Sequence, residues 1–514
     1  MWIISKTLQS TLLVTLASLA IFACSYQFPE NPAIEPVNSD QADFSNTIFI
    51  GSSILSGYMD GALYNESEPF GVSNLIANQI NLSSDREFNY PKIESEFGLN
   101  TFLTTGTSNV GRFELGYLDS QSQRVTKLLQ YNQGGGLTQS SEPLSSFQAL
   151  NIPRFRAVHL NEPGIFNNQY ANRFGQSLTN SSLVDFAISQ NPSFIVFDPG
   201  YEDVLGYAMA GGEGSLNPSG DLASYSKSDA TPTHIFEAKL QSSIQKLFSS
   251  ANTKGIILTI PDFIDFPYFQ YFRYDITPFV SNSQLPRNRN YVAAFNEVIL
   301  AYNQLPSTPV NERRPTLDFA EDRRGNWGVV ITDNNLPPIQ NVALVINGKD
   351  TVVSVPSIRH MTFEDYLVWD IDIQLGQGDL GLPLNPIPDY KILTKTEALL
   401  VKERIAAYNE IINRLANANQ NLRVVDFYQK SKDFHEGRNR FLELAPPGET
   451  INGVLINSTV VENGAFSADG IHFNPRGNAW ISNFIISRIN SMYGSNIRSL
   501  DVNAYRSNYF TLGF

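Results

Sequence analysis

"TIFIGSSILSGY", residues Thr47–Tyr58, opens the folded part of the chain. A five-residue apolar run, "TIFIG" (47–51), breaks at Gly51 into two serines and then a short apolar stretch. Such a run lacks strict alternation, as expected of a parallel strand covered on both faces. Four further runs share its character: "FRAVHL" (155–160), "SFIVF" (193–197), "GIILTI" (255–260) and "LRVVDF" (422–427). Helical patterns lie between them. "IFEAKLQSSIQKLF" (235–248) sets Phe236, Leu240, Ile244 and Leu247 on one stripe. "TKTEALLVKERIAAYNEIINRLA" opens with Thr394 and Glu397, a T-x-x-E capping box. A last helix is predicted from about Pro475 to Met492. Strands alternating with helices predict an α/β fold whose parallel sheet carries helices on both faces.

Two stretches break the alternation. Residues 86–150 hold turns and the run Gly134–Gly136. Residues 310–390 include "NVALVINGKDTVVSV", whose Asn347-Gly348 pair between alternating runs predicts a β-hairpin. Both read as insertions on the α/β core, either covering a cleft or decorating the surface. The aromatic stretch "DFPYFQYFRY" (265–274) reads first as filling the core, with lining an apolar cleft as the alternative.

The chain has 514 residues, 42% of them hydrophobic, which is ample for a large core. Its formal net charge is −14, and no basic face stands out to neutralise phosphates, so nucleic acid is not an expected partner. At the N-terminus, Lys6 precedes the 13-residue apolar run Thr11–Ala23, too short to span a bilayer but right for the core of a signal peptide. It ends in "IFAC", and Cys24 is the only cysteine of the chain. This arrangement resembles the lipobox of bacterial lipoproteins. It implies removal of residues 1–23, lipidation of Cys24 and a polar tether over 24–45, with an ordinary signal peptide cut nearby as the alternative. No cysteine remains for a disulfide, so the core must suffice.

In open parallel sheets, ligands bind beyond the carboxyl ends of the strands. The loops there are "GSSILSGY" after the first run, "NEPG" (161–164) after the second and "DPGYEDVLGYA" (198–208) after the third. "SADGIHFNPRGNAW" (467–480) precedes the last helix. A nucleophilic serine needs a base to take its proton, and the base needs a carboxylate to fix its tautomer. The D-x-x-H pair Asp469 and His472 supplies both from one loop; alone, it reads more readily as a turn aspartate and a helix cap. His159 reads as the buried end of a strand, and His234, His360 and His435 fall in surface segments. No His or Cys spacing suggests a metal, and no cofactor is expected.

Taken in order, "GSSI", "PG", "GYED" and "DGIH" resemble the four blocks of GDSL-type lipases/esterases, the SGNH hydrolases. "DVLGYA", "TIPD" (259–262) and "ADGIHFNPRGNAW" are similar to the large lipoprotein members from Bacteroidetes-type bacteria. The resemblance covers about 46–494 and leaves 495–514 as a C-terminal tail. It implies a flavodoxin-like three-layer α/β/α sandwich around a five-stranded parallel sheet. It further implies a membrane-anchored serine ester hydrolase, with Ser53 as nucleophile, His472 as base and Asp469 as its orienting partner. The oxyanion would be held by the N–H groups of Ser53 and Gly164, with Glu202 at the position of the family's third donor. It also implies an ester or lipid-like substrate, an outer-membrane location through the lipid anchor, and a fatty-acid-transport barrel of that membrane as partner.

Two departures qualify this. Ser52 stands where the family has Asp. Glu202 replaces an Asn whose amide donates to the oxyanion; an ionised carboxylate accepts but does not donate. The alternative implied is a catalytically impaired lipoprotein of the same fold that binds a ligand or assists at the outer membrane.

Overall fold

The computed structural model describes residues 35–100, 110–117, 125–126, 147–164, 168–219, 221–271, 274–369, 375–436, 447–461, 463–508 and 510–511. Cys24, the segment before it, tether residues 25–34 and much of 86–150 lie outside the described residues.

The core is an α/β arrangement on one five-stranded parallel sheet: β1 (Thr47–Gly51), β2 (Ala149–Asn151), β3 (Phe194–Phe197), β4 (Lys254–Leu258) and β5 (Leu422–Val425). Across the sheet the order is β2-β1-β3-β4-β5. Thr47 to Ile50 pair with Phe194 to Phe197, and Leu422 to Val425 pair with Gly255 to Leu258. All five residues of β1 and all four of β3 are buried, which explains their unbroken apolar sequences.

The helices fall into two packed groups. Helix α2 (Val72–Asn81) contacts α8 (Pro475–Tyr493), and α5 (Thr233–Leu247) contacts α3 (Leu183–Ser189) and α7 (Lys395–Asn417). Thr394 and Glu397 form the expected capping box at the start of α7. Among the described residues, no helix is long and apolar enough to cross a membrane.

The second strand is not the one expected. "FRAVHL" is no strand; Ala157–His159 form a 3-10 turn. Side-chain bonds to the backbone stabilise that turn in competition with a ladder. The Asp203 carboxylate accepts from Ala157 N–H at 2.9 Å, and His159 Nδ1 accepts from Arg156 N–H at 3.2 Å. The true β2 is three residues at the sheet edge, straddling the end of the range 86–150 read as an insertion. So brief an element leaves no periodic signal.

A second apolar cluster gathers residues between Ile276 and Ile392, including Val292, Phe295 and Ile299 of α6 (Leu285–Asn303). The hairpin forms as read, with Ile339–Ile346 against Lys349–Val355. Asn347 and Gly348 both take positive φ, 51° and 74°, as a two-residue hairpin turn requires. The aromatic stretch belongs mainly to the core: Phe266 and Phe269 are fully buried, whereas Tyr271 is exposed.

Candidate active site

Gly51 ends β1 where the chain passes close to β3. A Cβ there would sit 2.8 Å from Leu55 Cδ1 and 2.9 Å from Asp198 Cβ, so only glycine fits. The chain then turns directly into the short helix α1 (Ser53–Ser56). Ser53 is its first residue, and its N–H is among the donors that a helix start leaves without an internal partner. Ser52 hydrogen-bonds through Oγ to Asp198 Oδ2 at 3.2 Å, below the site. Burial pushes the Asp198 carboxyl up to about 7, against that bond.

The opposite wall comes from the far end of the chain. The loop before α8 brings Asp469 and His472 to Ser53, although 416 residues separate Ser53 from Asp469 in sequence. His472 Nδ1 lies 2.8 Å from Asp469 Oδ2. Asp469 also accepts from the N–H of Ile471 and His472 at 3.0 and 2.8 Å, from Ser467 Oγ at 2.9 Å and from Gly61 N–H at 2.8 Å. Burial works against its charge, but the His472 charge and these donors outweigh it and hold the carboxyl well below the usual range. With Nδ1 committed to Asp469, Nε2 faces inward, buried and without a hydrogen-bond partner.

Between Nε2 and Ser53 stands Glu202, the first residue of α4 (Glu202–Met209). Ser53 Oγ donates to Glu202 Oε1 in a short contact, and the same oxygen lies 4.0 Å from His472 Nε2. Glu202 Oε2 is 3.5 Å from Arg154 Nη1. Burial again opposes the charge, but Arg154 and then His472 and Ser53 lower the Glu202 pKa below the ordinary value. Burial also opposes protonation of His472, yet Asp469 and then Glu202 raise its pKa above that of a free imidazole. Ser53, Glu202, Asp469 and His472 are each at most 4% exposed.

Arg154, Tyr58 and Asp60 also belong to the centre, and the sequence reading did not single them out. Arg154 sits three residues beyond β2 at φ 66°, a left-handed conformation rare for a residue with a side chain. Its N–H faces Ser53 Oγ at 3.4 Å. This is the place expected for the Gly164 N–H. That expectation rested on the misplaced strand, and Gly164 follows Asn161, which is tied to Ser243 of α5 at 2.8 Å. The Tyr58 ring meets the His472 ring edge to face at 4.7 Å. Asp60 accepts from Ala468 N–H at 2.7 Å and from Tyr64 at 2.6 Å, which latches the loop carrying Asp469. The Asp60-Gly61 pair was visible as a turn signal; the left-handed arginine gave none.

His234 is exposed, His360 is half-buried with Nδ1 2.6 Å from Gly328 O, and His159 is pushed down to about 3 by burial. His435 is not in a surface segment: it is buried against Phe266, because its face of the Phe427–His435 helix turns inward. Among the described residues, no three His, Cys, Asp or Glu side chains gather as a metal site.

Comparisons of the chain with known protein families, with curated proteins and with solved structures find no match.

Proposed function

We propose that this chain is a lipid-anchored ester hydrolase of the SGNH type, on a flavodoxin-like three-layer α/β/α scaffold. The strand order β2-β1-β3-β4-β5 with two helix groups supports that scaffold. The observation that carries the function is the convergence on Glu202 Oε1. It accepts the Ser53 hydroxyl and lies 4.0 Å from His472 Nε2, while Nδ1 is held by Asp469.

In the reaction, Ser53 turns its hydroxyl from Glu202 to Nε2. Oγ bonds to the ester carbonyl carbon, its proton passes to Nε2, and the carbonyl π pair moves onto oxygen. Collapse breaks the bond to the alkoxy oxygen, which leaves with the Nε2 proton. Water then gives a proton to the same nitrogen and bonds to the acyl carbon; the bond from that carbon to Oγ breaks, the acid leaves, and Oγ takes back the Nε2 proton. Neutral His472 is the working form. The substrate is an ester or lipid-like molecule, the Cys24 anchor places the enzyme at the outer membrane, and a transport barrel there is its proposed partner. A fluorophosphonate probe tests the reading: wild type should label and Ser53→Ala should not.

One observation favours a second reading, a ligand-binding protein on the same scaffold. Glu202 occupies the hydroxyl of Ser53 and places negative charge where an oxyanion would form. Absence of labelling together with absence of p-nitrophenyl ester turnover selects that reading.

A further inference from the structure

Two charged residues face each other at this centre, and one of them stands where the resembled family has a neutral residue. Glu202 stands in place of an amide donor, and Arg154 stands where a backbone donor follows β2. Their side chains meet at 3.5 Å, with Arg154 15% and Glu202 3% exposed. The guanidinium also lies over the Tyr58 ring, 5.7 Å from its centroid. The backbone of the same arginine holds its N–H 3.4 Å from Ser53 Oγ at the cost of a left-handed φ of 66°. One residue therefore brings both a hydrogen-bond donor and a full positive charge to the nucleophile.

We propose that Arg154 is a catalytic residue: its N–H donates to the oxyanion, and its guanidinium offsets the negative charge that Glu202 brings in place of the missing amide donor. The assignment rests on the hydrolase reading and deepens it. When the carbonyl oxygen becomes negative beside Ser53, Glu202 repels it. The guanidinium offsets that repulsion because it is bound to the far oxygen of the same carboxylate, and the Arg154 N–H donates to the oxyanion directly. Fixed positive charge aimed at developing negative charge is the largest lever available at a buried site. The proton and bond changes are those of the ester cleavage above; Arg154 neither gains nor loses a proton.

Three variants test this with p-nitrophenyl acetate. Arg154→Gln keeps size and a hydrogen bond to Glu202 but loses the charge. Arg154→Gly keeps the N–H and relaxes φ but loses the side chain. Arg154→Lys keeps the charge. Removal of one oxyanion contact costs about 10²–10³ in kcat. Arg154→Gln and Arg154→Gly should fall by about that factor with KM little changed, and Arg154→Lys should stay within about tenfold of wild type. If Arg154→Gly does not fold, Arg154→Gln against Arg154→Lys decides. Wild-type kcat in Arg154→Gln, or a loss confined to KM, overturns the role of the guanidinium while the hydrolase stands. A wild type that neither labels with fluorophosphonate nor turns over ester overturns both.

Discussion

Replacing Glu202 by asparagine removes one negative charge from the centre and puts an amide donor in its place. In the structure that charge sits 4.0 Å from His472 Nε2 and directly on Ser53 Oγ. A unit charge at that distance interacts by about 4 kcal/mol at an effective dielectric constant of about 20. Arg154, 3.5 Å from the other carboxylate oxygen, cancels part of it. The restored donor adds about 3–4 kcal/mol at most, a factor of about 10²–10³ in rate. Glu202→Asn should therefore raise kcat on p-nitrophenyl acetate by about 10² once the two terms are offset by the loss of the Arg154–carboxylate ion pair. The pH profile should move as well. Burial opposes protonation of His472, and Asp469 with Glu202 overcomes it. Activity needs neutral His472, so the rate rises with pH through that raised pKa; without Glu202 the acidic limb must shift to lower pH. An unchanged or lower rate, or a limb that stays in place, would refute this account of Glu202.

Buried Asp198, pushed up to about 7, makes stability depend on pH. Its folded form holds the proton more tightly than the unfolded one, so stability is full below about 4 and is lost as pH rises toward 7. Asp198→Asn should raise the free energy of unfolding at pH 8 and not at pH 4, by at most about 4 kcal/mol; an equal gain at both pH values contradicts it. Arg173 and Glu68 form a buried ion pair at 2.8 Å, and Arg173 also bonds the carbonyls of Pro91 and Asn151 at 2.9 and 3.1 Å. Arg173→Met leaves Glu68 without its partner and should cost about 3–5 kcal/mol in urea unfolding; a loss under 1 kcal/mol would show the pair to be dispensable. Gly51→Ala forces a Cβ against Leu55 and Asp198 and should cost about 1–3 kcal/mol while lowering the rate of fluorophosphonate labelling, because it displaces the turn into Ser53. Wild-type stability and labelling in this variant would show that β1 and β3 yield at that point.

The sequence by itself determined what is local. Runs such as "TIFIG" and the "FIVF" of 194–197 are strands because every residue in them is buried, and burial is written in composition. Helix α7 begins where Thr394 and Glu397 cap it, and the Asn347-Gly348 turn closes its hairpin, since each signal spans only a few residues. Ser53 and Glu202 were legible in loops that follow strands, and Asp469 and His472 in the loop before the last helix. How they meet was not. Strand β2 is three residues at an edge, defined by its partner β1 more than by its own pattern. The left-handed Arg154, and its approach to Ser53 and Glu202, depend on where that strand ends. Asp469 takes a donor from Gly61, 408 positions away, and no spacing along the chain encodes such a bond. Composition sets which segments leave water, but only packing sets which charges then face one another.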